Sequence, residues 1–280
     1  ARRHVRRGYT VANEIDILSS LSSPQDHHLV NVVDHFPGSL DALDPLGRSA
    51  ILVQPSLPYE TLREVAYLVG LCDRGFEHVF RALFDAVTYL EDHGVYHRDI
   101  TPDNILLEAS QNEPWNDRGD VRLVDFGDAV RVGSKRRGAF SSNGALMVRD
   151  PLLDHGCRYD ATSEVYALGK VMLFCLTGSL SYTTHHRYTD TLASLLEHEG
   201  DFRSWLSFKQ CYGEILSSAL RFGTNLYDLL VDRDGRDSTQ YHPLVKRALS
   251  LNPRKRFPSV RAFADAFLEV AASSADDHSS

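Results

Sequence analysis

The sequence lacks several things. No stretch of its 280 residues reaches the roughly 18 consecutive apolar residues that a membrane-spanning helix needs, and no charged-then-apolar segment opens it. Cysteine is scarce: Cys72, Cys157, Cys175 and Cys211 lie far apart with no CxxC spacing. That argues against a disulfide framework or a zinc site and for reduced thiols. Positive charge is not in excess, with 30 Lys and Arg against 38 Asp and Glu, a formal net charge of −8 and a pI of about 5.9. Non-specific nucleic-acid binding as a main role is therefore not expected. There is no internal repeat. Together these absences lead to an expected cytoplasmic or nuclear location, with neither nucleic acid nor membrane as partner. Two further gaps matter later: no lysine occurs before Lys135, and position 1 is alanine, not methionine. The second leads to the expectation that the chain is a piece of a longer protein.

With 42% hydrophobic and 24% charged residues, the chain has enough apolar material for one large domain or two lobes. "VANEIDILSSL" (11–21) has helical spacing, with Val11, Ile15, Leu18 and Leu21 on one face. "LVNVVDHF" and "SAILVQPSL" read as two antiparallel strands. Residues 77–93 carry Val79, Phe80, Leu83, Val87 and Leu90 at helical spacing, and Gly94 ends the run. Two short strands follow, "NILLE" and "VRLVDF". Beyond Ser134 the pattern turns helical, in "SEVYALGKVMLFCLTG", "TDTLASLLEHEG" and "VRAFADAFLEVAA". The tail "SSADDHSS" has the composition of a disordered end.

The chemistry concentrates in "GVYHRDITPDNILL" (94–107), where His97, Arg98, Asp99, Asp103 and Asn104 sit between apolar residues. Pro102 rules out a continuous helix between Asp99 and Asn104, so a loop can aim both side chains at one point. A second carboxylate, Asp125, ends the apolar run "VRLVDF", and Gly127 is placed to let the backbone turn sharply after it. Asn104 and Asp125 are oxygen donors of the kind that Mg²⁺ prefers, while Asp99 remains as a base for a hydroxyl nucleophile. Asp, Asn and Asp delivered to one cleft is what metal-assisted phosphoryl transfer needs.

HRD with an asparagine five residues after its Asp, followed by DFG, resembles the catalytic and metal-binding loops of the eukaryotic-type protein kinase family. The resemblance covers most of the chain. "NEIDIL" resembles the regulatory helix with its ion-pairing glutamate, here Glu14. "ILVQPSL" resembles the hinge strand, with Gln54 as gatekeeper and the Pro55 carbonyl and Leu57 N–H facing adenine. "SEVYALG" resembles the buried helix after the activation segment, and "NPRKRF" the arginine turn, with Arg256 as structural arginine. The resemblance implies an α+β, two-lobed protein-kinase-like fold with a truncated N-terminal lobe (1–57), a mainly helical C-terminal lobe (58–271) and a disordered tail (272–280). It implies ATP and Mg²⁺ as cofactors, with Asn104 and Asp125 on the metal and Leu106 also in the nucleotide site. Asp99 would take the acceptor's proton, and His97 and Phe126 would stack in an apolar spine. Arg98 would read a phosphate on the activation segment, where Ser134, Ser141 and Ser142 are available.

The sequence also departs from the family pattern. Nothing before Glu14 resembles the glycine-rich loop, and the strand lysine is absent, a place that Arg2, Arg3, Arg6 and Arg7 do not fill because a planar fork does not replace a point ammonium. Thr101 stands where a lysine is usual, and Glu164 where an aspartate is. Asn143 replaces a threonine of the peptide-positioning loop, and "VRD" (148–150) replaces APE, keeping Asp150 as an acid for Arg256. The expected activity is transfer of the ATP γ-phosphate to Ser/Thr hydroxyls of a protein substrate. The alternatives are a catalytically impaired scaffold of the same fold and a small-molecule phosphotransferase.

Overall fold

In the computed structural model, the apolar stripe around residue 80 becomes a helix of 20 residues, Asp73–Asp92, against which the central strands pack. The structure describes residues 8–31, 34–37, 50–53, 59–68, 71, 73–108, 119–133, 150, 159–177, 239–250 and 252–277. The chain divides into two compact units, Ala1–Ser142 and Asn143–Ser280. The boundary expected after residue 57 falls in 54–58, and the expected helix at 189–200 is likewise outside the described residues.

The first unit contains α1 (Gly8–Ser19), β1 (Asp34–Pro37), β2 (Ala50–Val53), β3 (Tyr59–Thr61), α2 (Leu62–Leu68), α3 (Asp73–Asp92), β4 (Val95–Tyr96), β5 (Ile105–Glu108), β6 (Val121–Leu123) and β7 (Val130–Arg131). β1 and β2 pair antiparallel, Asp34 opposite Val53 and Pro37 opposite Ala50, as their β-rich composition indicated. β5 is the middle strand of a three-stranded antiparallel sheet, with β3 on one side and β6 on the other. β4 pairs with β7. α3 lies against β4 and β6 and buries Val79, Phe80, Leu83, Val87 and Leu90, the face its periodicity predicted. Each of these side chains contributes about 1.5–3 kcal/mol by leaving water. The helix stops where Gly94, at φ 65, takes the left-handed conformation that glycine adopts at least cost, and its N–H closes onto the Glu91 carbonyl.

The buried face of α1 differs from the expected one. Ile17, Leu18 and Leu21 are in the core together with the carboxylate-bearing Glu14, while Ile15 is only half-buried. The helix is oriented by polar contacts to a distant segment, described below, and these rotate it away from its simplest apolar stripe.

The second unit contains α4 (Ala161–Thr177), α5 (His242–Ala248) and α6 (Val260–Asp277). α4 is buried on every side from Ser163 to Phe174, as a central helix is, and both α5 and α6 pack on it. A Cβ on Gly169 would stand 2.8 Å from the Ala248 Cβ, so only glycine permits α4 and α5 to approach this closely. α6 starts at Ser259, whose hydroxyl accepts the Ala262 N–H at 3.1 Å. It runs on to Asp277, through residues 272–277 of the tail expected to be disordered, while 278–280 lie outside the described residues; alanines 271, 272 and 275 favour the helix there.

The arginine expected to be structural is so. Arg256 is buried and forms a forked pair with Asp150, Nη1 to Oδ2 at 2.5 Å and Nη2 to Oδ1 at 3.1 Å. It also donates to the carbonyls of Ser250 at 2.7 Å and Thr162 at 3.0 Å, and its plane lies 4.7 Å from the Tyr166 ring. A buried cation with this many acceptors satisfies the requirement that makes such pairs tolerable. Lys170 on α4 is buried with no ion-pair partner among the described residues, its ammonium 5.9 Å from the centre of the Tyr166 ring.

Burial pushes Lys170 down from 10.5 to about 7. Above pH 7 the folded lysine has lost its proton while the unfolded one keeps it, so the unfolded state binds more protons and stability rises with pH. Between pH 7 and about 8.5, below the onset of thiol titration, the rise should approach ~1.4 kcal/mol per pH unit. Urea unfolding of the parent and of Lys170→Met checks this: the variant should be the more stable at pH 7 and should lose the slope. A parent slope retained in Lys170→Met would refute the assignment.

Candidate active site

The loop from His97 to Asn104 joins β4 to β5, and the turn after β6 brings Asp125 beside it. His97 is fully buried and connects the two. Its Nε2–H donates to the Val124 carbonyl at 3.2 Å, its Nδ1 accepts the Asp99 N–H at 3.3 Å, and its ring meets Phe126 edge-on at 4.7 Å. One nitrogen donates and the other accepts, so the ring is neutral and its tautomer is fixed. Burial pushes it from 6.5 down to about 4, opposed only in part by the charge of Asp125, the Val124 carbonyl and the charge of Asp128.

Asn104 completes the junction. Its Nδ2 donates to both the Asp99 carboxylate at 2.8 Å and the Asp99 carbonyl at 2.9 Å. Its backbone carbonyl receives the Val124 N–H at 2.9 Å, which extends the β5–β6 ladder to the residue preceding Asp125. The structure thus brings Asp99, Asn104 and the Asp125 strand end together. Arg98, at φ 69, is left-handed and buried between His97 and Asp99. Leu106 is half-buried on the face of β5 opposite the core residues Ile105 and Leu107.

The sharp turn after β6 is not made by Gly127. The left-handed residue is Asp125 itself, at φ 70, and its carboxylate accepts the Gly127 N–H at 3.3 Å. A short side chain that bonds its own backbone two residues on makes this conformation accessible without glycine. Glu14 reaches the same turn and accepts the Phe126 N–H at 3.4 Å.

Two contributors were missed from sequence. Asn13 donates to the carbonyls of Phe126 at 3.2 Å, Gly127 at 3.2 Å and Ala129 at 2.9 Å. Arg63, on α2, forms a forked pair with Asp103 at 2.5 and 2.6 Å, and its N–H donates to the Pro102 carbonyl at 3.2 Å. The Thr-Pro-Asp loop is thereby held from outside. Only the Asn-Glu dipeptide on a helix, and an arginine after "YET", could have signalled them. Gln54, Pro55 and Leu57, the serines at 134, 141 and 142, Lys135 and Asn143 lie outside the described residues.

Among the described residues no three His, Cys, Asp or Glu side chains converge to hold a metal alone. Mg²⁺ binds through one or two carboxylates together with waters and substrate phosphates. With Nδ2 spent on Asp99, Asn104 has its amide oxygen to offer, and Asp125 adds carboxylate oxygens. The donor set is all oxygen and fits that ion.

Comparison with known proteins identifies the family and the fold. The family model described as "Protein kinase domain" matches residues 2–268. The chain is 23% identical over 277 residues to the calcium/calmodulin-dependent protein kinase cmkB of Emericella nidulans, covering 99% of this chain and 59% of that protein. It is 28% identical over 181 residues to the ovarian-specific serine/threonine-protein kinase Lok of Drosophila melanogaster, covering 63% of this chain and 34% of the relative. It therefore spans less than two thirds of the length of either. A solved structure of the Rad53 kinase domain and SCD2 in complex with AMPPNP superposes with a TM-score of 0.56 at 17% identity, over 91% of this chain and 77% of that one. At that identity the likeness establishes the fold, which is the α+β protein kinase fold.

Asn104→Asp tests the junction. It removes both amide donors and sets a second carboxylate against that of Asp99, across a gap of 2.8 Å. One of the two carboxyls must then titrate above its unfolded value, so the pair is tolerated at low pH and loses stability as pH rises. The variant should be less stable than the parent by about 1–3 kcal/mol at pH 7.5 and by clearly less at pH 4.5. Equal deficits at the two pH values, by chemical denaturation, would contradict the geometry.

Proposed function

The chain belongs to the protein kinase family, and from that premise we propose that it transfers the γ-phosphoryl group of ATP to Ser or Thr hydroxyls of protein substrates. The observation that carries the reading is the double hydrogen bond from Asn104 to Asp99, which orients the carboxylate assigned here to accept a hydroxyl proton. The serine/threonine type is supported by the printed name of the Drosophila relative.

In this reading Asp99 orients the acceptor hydroxyl and takes its proton as the oxygen attacks the γ-phosphorus, while the bond to the ADP oxygen breaks. Asn104 and Asp125 would hold Mg²⁺, which when bound neutralises charge on the phosphates. Neutral His97 holds the Asp99 backbone without adding a charge of its own. Leu106 offers an apolar surface to the adenine, with Gln54, Pro55 and Leu57 assigned to the same base. Arg98 would answer a phosphate on the segment that follows.

Asp99→Ala should lower phosphate transfer to a generic protein substrate by ~10²–10⁴-fold while the chain stays folded. Activity at background and insensitive to that change would leave the scaffold alternative in its place.

ATP binding should also depend on Mg²⁺, and Asp125→Asn should weaken it. Calorimetry giving equal ATP affinity with Mg²⁺ and with EDTA would remove Asn104 and Asp125 as ligands.

A further inference from the structure

The three peptide groups that follow Asp125 form a single turn, Phe126–Asp128, whose carbonyls cannot all be satisfied within it. The turn closes one bond of its own, from the Ala129 N–H to the Phe126 carbonyl at 3.1 Å. Asn13 supplies much of the rest. One amide nitrogen, with two hydrogens, serves three carbonyls, those of Phe126, Gly127 and Ala129, over 2.9–3.2 Å. At least one of those hydrogens is shared. The next residue, Glu14, receives the Phe126 N–H. Two consecutive residues of α1 thus grip both the donor and the acceptor side of the strand of backbone that begins one residue after Asp125. A half-turn on from Glu14, the exposed Asp16 carboxylate lies 3.7 Å from the Arg131 guanidinium at the end of β7.

Asp125 is left-handed at φ 70, a conformation that costs a non-glycine residue energy and persists only when its surroundings fix it. On the upstream side it is fixed by the Val124 N–H to Asn104 and the Val124 carbonyl to His97. On the downstream side the described side-chain contacts to the backbone carbonyls come from Asn13. We propose that Asn13 is a positioning residue for the reaction: by clamping the carbonyls of residues 126, 127 and 129 it sets the direction of the Asp125 carboxylate. This rests on the kinase reading above and adds to it a side chain that touches neither nucleotide nor acceptor. The requirement is for a donor. Asparagine meets it, and aspartate of the same shape presents a negative oxygen to three carbonyl oxygens.

The test compares the parent chain with Asn13→Asp and Asn13→Gln. Amide hydrogen exchange is read over 125–130 and over α3, and the Mg²⁺ concentration giving half-maximal phosphate transfer is measured. In Asn13→Asp, exchange should quicken at 125–130 but not in α3, and half-saturation should move to about tenfold higher Mg²⁺, with Asn13→Gln recovering part of both. Exchange unchanged at 125–130, or quickened equally everywhere, overturns the clamp. A local quickening with Mg²⁺ half-saturation unmoved in an active enzyme overturns the positioning role, since a merely structural contact would behave so. A parent chain without activity would sink the kinase reading instead, and a local rise in exchange would then still support the clamp.

Discussion

Asn104 donates through its side chain to both the carbonyl and the carboxylate of Asp99, and its own carbonyl takes the Val124 N–H. The geometry of both loops depends on this double use. The backbone bond is the last rung of the β5–β6 ladder, so the position of Asn104 is inherited from a sheet whose inward residues, Ile105, Leu107, Val121 and Leu123, are wholly buried. The side-chain bonds pass that rigidity to Asp99. A flexible polar loop is thereby tied to the hydrophobic core by one residue with two donors and an acceptor. Serine has too few donors for this, and aspartate has the wrong charge.

The strain in the site has the same logic. Arg98 and Asp125 are both left-handed, each at a cost of about 1–2 kcal/mol. Neither could relax alone, because the residues on both sides of each are tied down: His97 before Arg98, Asp99 after it, Val124 before Asp125 and Phe126 after it. Net contributions near 1 kcal/mol per hydrogen bond are enough to outweigh that cost when several act on the same short segment. The strain is thus concentrated where the two loops meet, and the hydrogen bonds on either side are what hold it there.

Much of this was legible in the sequence where a signal was local. α3 announced itself through an unbroken apolar stripe, β5 and β6 through short apolar runs with turn residues beside them, and the polar loop through its density of Asp, Asn, His and Pro. Asp150 as partner of Arg256 was legible too, because an acid kept in a divergent motif has to answer a buried cation. The buried face of α1 was not, since Asn13 meets its partners 113 to 116 positions away and no periodicity encodes that distance. β3, α2 and the Arg63–Asp103 pair were missed for the same reason: three strand residues and seven helical ones are too short to show a period. The turn at Asp125 misled differently. Glycine is the habitual left-handed residue, but here the aspartate bonds its own turn and takes that conformation itself.

The choice of histidine at position 97 follows from the groups it faces. A phenylalanine there could keep the edge-on contact with Phe126, which needs only an aromatic ring. It would leave the Val124 carbonyl and the Asp99 N–H, both now bonded to the imidazole, without that partner in a buried place. Each orphaned buried group costs about 1–3 kcal/mol, more than an aromatic contact returns. A lysine or arginine could reach the carbonyl but has nothing to offer the N–H and would bring a charge into the core. A neutral imidazole, donating from one edge and accepting at the other, satisfies both and keeps the aromatic contact as well. Burial keeps that ring neutral well below pH 6.5. The tie between the two loops of the site is therefore uncharged across the physiological range, and the charge in the site is left to the carboxylates that need it.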